Sequence, residues 1–245
     1  MQIYIRFTKR NPMNVFYVPN IHLSAVFQLD ENESGHCIRV LRLRIGDEIM
    51  VIDGIGGLHK AKIADANPKK ALIQVVSSEF QAKPSPHITI AIAPTKQIER
   101  FEWFLEKAVE IGVSRIIPLL CEKSERKVIT IERLDKIIVS AMKQSLHLHK
   151  PEILPLIKFV DAIKNDSSSQ HFIAHCEELP KQSLKMVCKP GIDTSLYIGP
   201  EGDFCSKEIA AALYQGFVPV SLGESRLRTE TAGVVACHSF QFINQ

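Results

Sequence analysis

Residues 197–204 read YIGPEGDF and lie between an apolar strand-like run and a helix-like run. Gly199 and Gly202 let a backbone approach a ligand closely, while Pro200 fixes one dihedral and removes one donor. The product is a stiff wall of peptide groups beside the carboxylate of Glu201. A phosphate loop at this junction would end in Gly-Lys-Ser/Thr, and the glycine fingerprint of dinucleotide folds is absent too, which disfavours an NTP-driven enzyme. Alone, the stretch fits either a ligand wall or a plain strand-to-helix turn. A second stretch, SLGESRLRTETAG at 221–233, follows a strand and crowds Arg226, Arg228 and Glu230 ahead of an apolar helix. An arginine there can clamp an anion with its planar fork, or pair at the surface with Glu230 or Glu224 for about 0–1 kcal/mol. Thr229 or Thr231 is placed to cap the helix. A third stretch, GHCIRVLRLRIGD at 35–47, sets Arg39, Arg42 and Arg44 close together, with Lys60, Lys62, Lys69 and Lys70 following. On a helix Arg39 and Arg42 share a face, as binding to a nucleic-acid backbone requires; a solvated charged face fits as well.

Two kinds of scaffold must hold these stretches. From Val15 to about Phe80 short runs such as VFYV, EIMVID, LHKAKIA and ALIQVV alternate with the turns GIGG and NPKK. Alternation, β-branched residues and Gly/Pro punctuation predict a small β-rich unit, a barrel, with one short helix near Glu33–Leu41. GIGG at 54–57 reads as a hairpin turn. QAKPSPH at 81–87 reads as a linker. Beyond it strands and helices alternate: ITIAIAP, RFEWFLEKAVEIG, RIIPLL, a helix from about Ile131 to Leu146, HFIAHC, SLYIG, a helix from Ser206 to Gln215, VPVSLG, and a helix after Thr229. Phe101, Phe104, Leu105, Ala108 and Val109 form one helical face, Leu134, Ile138, Ala141, Met142 and Ser145 another, and Gly112 is a natural stop. Such alternation predicts a mainly parallel sheet covered on both faces, with ligands gathering where strands end.

At 245 residues, 45% hydrophobic and 23% charged, the chain has the composition of a globular protein of one large or two small domains. The net charge of +3 is too small to prove a nucleic-acid partner. Six cysteines at 37, 121, 176, 188, 205 and 237 form no C-x-x-C pair, so neither a structural zinc nor a disulfide framework is expected. His147 and His149, two apart, do not suit metal binding, and His175 on an apolar strand reads as a satisfied core histidine. No apolar run approaches a membrane span, and the first residues lack the order of a secretion signal, so the expected location is the cytoplasm. Residues 1–14 read as an extension, with Met13 as an alternative start.

Taken together, several motifs resemble one family: the bacterial 16S ribosomal RNA uridine-N3 methyltransferases of the SPOUT (trefoil-knot) superfamily. They are FYVP at 16–19, H-x-x-x-VLR-x-x-x-GD from His36 to Asp47, EKAVEIGV at 106–113, EKS at 122–124, Gln144-Ser145 with Pro151, GPEG at 199–202, and Leu222-Gly223 followed by LRTETA at 227–232. The resemblance implies a PUA-like β-barrel over 15–80 that helps bind RNA, and an α/β SPOUT domain over 88–245, whose parallel sheet carries a deep trefoil knot holding S-adenosylmethionine. It implies a homodimer acting on 16S rRNA of the small ribosomal subunit, at uridine 1498 in standard bacterial numbering, with no metal. A noncatalytic RNA-binding or ribosome-assembly protein on the same fold is the alternative.

By position, the resemblance assigns the cofactor to His175, Ile198, Gly199, Pro200, Glu201, Gly202, Ser221, Leu222, Gly223, Leu227 and Arg228. It assigns RNA contacts to His36, Arg39, Arg42 and Lys96, and catalysis to Arg228 and Glu201. The chain departs from the family where Asp203 and Cys205 replace a usual glycine and serine, moving the expected helix cap to Ser206. It also departs at Ser225-Arg226, Lys143 and His147.

Overall fold

The computed structural model describes residues 14–19, 21 and 26–245. Residues 1–13 of the extension, Met13 among them, lie outside these residues. The chain forms two compact units, meeting in sequence at Ala82 and Lys83.

The first unit is a five-stranded sheet in the order β1-β3-β4-β5-β2, where β1 is Val15–Tyr17, β2 Val26–Gln28, β3 Glu48–Ile52, β4 Gly57–Asp65 and β5 Leu72–Phe80. Strand β1 runs parallel to β3 and the other pairs are antiparallel. Its core holds Phe16, Leu29, Cys37, Ile49, Val51, Ile63 and Ile73. The β3–β4 turn uses Gly54 at φ +80° and Gly56 at φ +110°, values that favour glycine, and Asp53 Oδ1 accepts the N–H of Ile55 and Gly57 at 2.8 Å each.

The expected short helix begins as α1, Glu31–Gly35, with Asp30 Oδ1 accepting Glu33 N–H at 2.7 Å as its N-cap. It then widens into a π-helical turn, His36–Val40, and Leu41 N–H reaches His36 O at 3.0 Å. Arg42 lies beyond its end at φ +56°. Arg39 and Arg42 therefore do not share a regular helical face, because the chain reverses hand between them. His36, Arg39, Arg42 and Arg44 are all exposed.

The second unit carries a parallel sheet in the order β11-β13-β10-β12-β6-β7-β8, with β9 also on β7. The strands are β6 Ile88–Ile92, β7 Arg115–Leu120, β8 Glu152–Ile153, β9 Ile157–Lys158, β10 Gln170–Ala174, β11 Gln182–Ser183, β12 Thr194–Ile198 and β13 Val218–Ser221. The helices are α2 Ile98–Ile111, α3 Ile131–Ser145, α4 Phe159–Lys164, α5 Leu184–Val187, α6 Ser206–Tyr214 and α7 Thr229–Ile243. Successive strand residues point to opposite faces. Ile88, Ile90 and Ile92 of β6 thus pack with Phe101, Phe104, Leu134 and Phe240 from α2, α3 and α7. Ala91 packs on the other side with Phe159, Ile209 and Ala212 from α4 and α6. Helix α7 lies so close to α2 that a Cβ on Gly233 would stand 2.5 Å from the Phe104 ring.

Helix α2 ends at Gly112 with φ +104°, as its sequence predicts. Two capping expectations are corrected. Cys205, not Ser206, is the N-cap of α6; its N–H donates to Glu208 Oε2 at 2.9 Å, while Ser206 Oγ donates to Glu177 Oε1 at 2.7 Å. Arg228 is the N-cap of α7, without a side-chain bond, so neither Thr229 nor Thr231 takes that role.

Candidate active site

The loop after β12 is built from both ends. Asp203 N–H donates to Pro200 O at 2.9 Å, and a Cβ on Gly199 would stand 2.9 Å from Phe204 N, so the turn closes tightly on the strand end. Asp203 adopts φ +62°, a conformation for which glycine is the default and which Asp tolerates better than most residues. Its carboxylate is fully used: Oδ1 accepts Phe204 N–H at 2.8 Å and Oδ2 accepts Cys176 N–H at 2.7 Å. The departure from glycine therefore keeps the backbone shape and adds a tether to the loop after β10.

The segment after β7 supports the same loop. Lys123 Nζ donates to Gly202 O at 3.0 Å and Phe204 O at 3.1 Å, and Glu122 N–H donates to Glu208 Oε1 at 2.8 Å. Glu201 Oε1 accepts Lys96 N–H at 2.9 Å, and Arg126 donates to Thr95 O and Lys96 O at 3.0 and 2.6 Å. Thr229 Oγ1, freed from capping, donates to Gly199 O at 3.2 Å and joins the start of α7 to the GPEG loop.

These loops enclose a cavity of about 720 Å³ at the ends of β10, β12 and β13, within the range of small-molecule sites. It is lined by His175, Ile198, Gly199, Pro200, Glu201, Ser221, Leu222, Gly223, Leu227 and Arg228. Of the residues assigned to the cofactor only Gly202 is missing from the wall; it faces Lys123. Lys96 is not on the wall either, and its ammonium pairs with Glu125 at 2.7 Å.

His175 is buried, yet neither ring nitrogen has a hydrogen-bond partner among the described residues. It is not the satisfied core histidine that its apolar strand suggested. Burial, reinforced by the Lys181 charge, holds its pKa below the ordinary value and keeps the ring neutral. Lys181 Nζ is fixed by His175 O at 3.1 Å and Glu177 O at 2.7 Å. Across the cavity Glu230 is also buried, and its Oε2 has no partner among the described residues. Among the described residues no ion pair joins Arg226 or Arg228 to Glu224 or Glu230. Carboxylates of Glu201, Asp203, Glu224 and Glu230 thus share one cavity with Arg100, Lys181, Arg226 and Arg228. Such a wall suits a zwitterion with both a cationic and an anionic end.

Sequence reasoning missed Arg100, Lys123 and Lys181, and named Glu230 only as an ion-pair partner. Lys123 and Glu230 lie inside quoted motifs, EKS and LRTETA, whereas Lys181 carries no local signal. Buried orphan atoms cannot be read from a one-dimensional pattern.

The chain matches the RNA methyltransferase domain family over residues 82–241 and the RNA methyltransferase PUA domain family over residues 29–76. A ribosomal RNA small subunit methyltransferase E from Buchnera aphidicola is 30% identical over 237 residues, covering 93% of this chain and 92% of that protein. A crystal structure of a probable rRNA-methyltransferase from Porphyromonas gingivalis is 44% identical, with TM-score 0.88 and coverage of 95% and 98%. A ribosomal RNA small subunit methyltransferase E from Neisseria gonorrhoeae, solved bound to S-adenosyl methionine, is 29% identical, with TM-score 0.83 and the same coverage. The first unit is a PUA-like curled sheet and the second a SPOUT (trefoil-knot) parallel-sheet domain. Matched by the RNA methyltransferase family over 82–241 and by the Buchnera aphidicola relative along nearly its whole length, this protein belongs to the ribosomal RNA small subunit methyltransferase E family of RNA methyltransferases.

Proposed function

We propose that this chain binds S-adenosylmethionine in the 720 Å³ cavity and methylates N3 of a uridine in 16S rRNA of the small ribosomal subunit. The target under this reading is uridine 1498 in standard bacterial numbering. The observation that carries the reading is the convergence of the GPEG loop, the 221–228 loop and the orphan His175 on one cavity of mixed charge. Family membership supports it, as does the Neisseria gonorrhoeae relative solved with S-adenosyl methionine.

When bound, the cofactor supplies an activated methyl group on a sulfonium. The backbone at Ile198–Pro200 and Leu227, with His175, holds it and excludes water; the neutral imidazole adds no repulsion to a cation. Uracil N3 carries a proton and is a poor nucleophile until that proton leaves. Arg228 stabilises the imide anion as it develops, and Glu201, steadied by Lys96 N–H, orients the base or takes its proton. Alignment of the nucleophile with the methyl carbon contributes up to about 7–11 kcal/mol relative to free encounter.

The partner is the small ribosomal subunit, and the exposed His36, Arg39 and Arg42 of the PUA-like unit, with Lys96 of the other, contact its RNA. The protein acts as a homodimer in the cytoplasm. Among the described residues no helix is long and apolar enough to cross a membrane.

The test is methyl transfer to purified small subunits, combined with cofactor calorimetry. Arg228→Ala is expected to lower kcat by about 10²–10³ while the protein still binds cofactor. Full methylation by this variant would remove Arg228 from the mechanism. Absence of binding at millimolar S-adenosylmethionine by the unaltered protein would favour the noncatalytic RNA-binding reading.

A further inference from the structure

A second, more open cavity of about 640 Å³ adjoins the first and shares Arg100, Arg226, Leu227, Arg228 and Glu230 with it. Its outer wall is α2, where Arg100 and Trp103 stand three residues apart and therefore on one helical face. Trp103 is the only tryptophan of the chain and is 44% exposed, although it lies among the buried Phe101, Phe104 and Leu105 in sequence. Among the described residues Arg100, Arg226 and Arg228 make no ion pair and no side-chain hydrogen bond, despite Glu99 and Glu230 on the same wall. Between the two cavities lies Glu230, more than nine-tenths buried with Oε2 unpartnered. A buried carboxylate oxygen without a donor is costly unless a ligand supplies one.

An exposed indole beside three unpaired guanidiniums has the chemistry of a single-stranded nucleic-acid site: an aromatic face on which any base stacks, and planar forks for phosphate. We propose that this open cavity is a subsite for an unpaired nucleotide next to the target, its base on Trp103 and its phosphate against Arg100 and Arg226. The neighbouring target base then enters past Glu230, on the wall that the two cavities share. The inference rests on the RNA methyltransferase reading and adds to it where the substrate strand enters. It commits to RNA rather than to a second copy of the chain over Trp103, because an apolar contact between copies would leave three guanidiniums unpaired.

The single tryptophan makes the test direct. Titrating the full-length protein with a short single-stranded oligouridylate at low salt, without cofactor, is expected to quench or shift the Trp103 emission saturably, and the change weakens as salt rises. Trp103→Ala is expected to weaken RNA binding about 5- to 150-fold and to raise KM for the small subunit more than it lowers kcat. Trp103→Phe recovers part of the loss, and calorimetry with S-adenosylmethionine is unchanged in both variants. A saturable emission change with loss of affinity in the alanine variant supports the subsite.

Emission that ignores RNA, together with Trp103 shielded from a small neutral quencher in the free protein, overturns it and assigns the patch to a contact between copies. Unaltered RNA affinity and KM in Trp103→Ala also overturn it, and leave methyl transfer at the neighbouring cavity standing. Conversely, a protein that binds oligouridylate through Trp103 but neither binds cofactor nor transfers methyl groups keeps the subsite and loses the enzymatic reading.

Discussion

Each unit buries a histidine and a carboxylate, and the two pairs have opposite surroundings. In the first unit Asp53 and His59 are 4% and 1% exposed. His59 Nδ1 lies 2.6 Å from Ser78 Oγ and Nε2 lies 3.2 Å from Asp53 Oδ2, while Asp53 Oδ1 accepts two backbone N–H groups. Burial pushes the Asp53 carboxyl up, but the Ile55 and Gly57 N–H groups and the His59 ring outweigh it and hold the pKa below the ordinary value. In the second unit His175 and Glu230 are each 7% exposed and lack those partners. Equal burial therefore separates into two roles. Where every polar atom is bonded within the chain, the cluster holds a turn in place; where buried atoms are left without partners, they belong to residues that line a cavity.

The comparison is broken most forcefully on the satisfied side. Asp53→Ala strands a buried imidazole and two backbone donors, and should cost about 3–5 kcal/mol in urea unfolding. Its acid counterpart has a definite sign. A depressed carboxyl pKa contributes stability above the ordinary value of 3.8 that is lost as pH falls through the lower folded value. Acid unfolding of the unaltered protein should therefore show a loss below about pH 4 that Asp53→Ala lacks.

On the open side, His175→Leu should do the reverse. It removes no hydrogen bond, so stability should hold or rise by up to about 1 kcal/mol, while S-adenosylmethionine affinity in calorimetry falls about tenfold. A variant as destabilised as Asp53→Ala would show that His175 is structural after all. Acidification tests the same residue. Because the folded pKa of His175 lies below its ordinary 6.5, the unfolded chain gains this proton first, and stability drops as pH falls below 6.5. Cofactor affinity should fall with it, since imidazolium would face a cation.

The smallest effect concerns Asp203. Asp203→Gly relieves about 1 kcal/mol of left-handed backbone cost but loses two hydrogen bonds worth about 1 kcal/mol each, for a net loss near 1 kcal/mol. Asp203→Ala loses the bonds and keeps the strain. Thermal unfolding should therefore rank the natural protein first, glycine second and alanine last.

Much of this architecture was legible in the sequence. Phe101, Phe104, Leu105, Ala108 and Val109 were read as one face and all are buried; Gly112 was read as a stop and adopts φ +104°. The parallel sheet followed from strand and helix alternation. Strands of two residues such as β8, β9 and β11, and the four-residue α5, are shorter than any period and left no trace. The π-turn at His36–Val40 was unreadable for a related reason: i→i+5 bonding is set by how the segment packs, not by residue spacing. Both site loops were visible as motifs. The bond from Thr229 to Gly199 and the orphan atoms of His175 and Glu230 depend on contacts between residues 30 or more positions apart, and only the folded chain displays them.

The most direct measurement is nucleoside mass spectrometry of small-subunit RNA from cells with the protein, without it, and without it but resupplied. The account predicts that 3-methyluridine disappears with the protein and returns on resupply. Retention of 3-methyluridine in its absence, with no second copy of the enzyme in those cells, would contradict it.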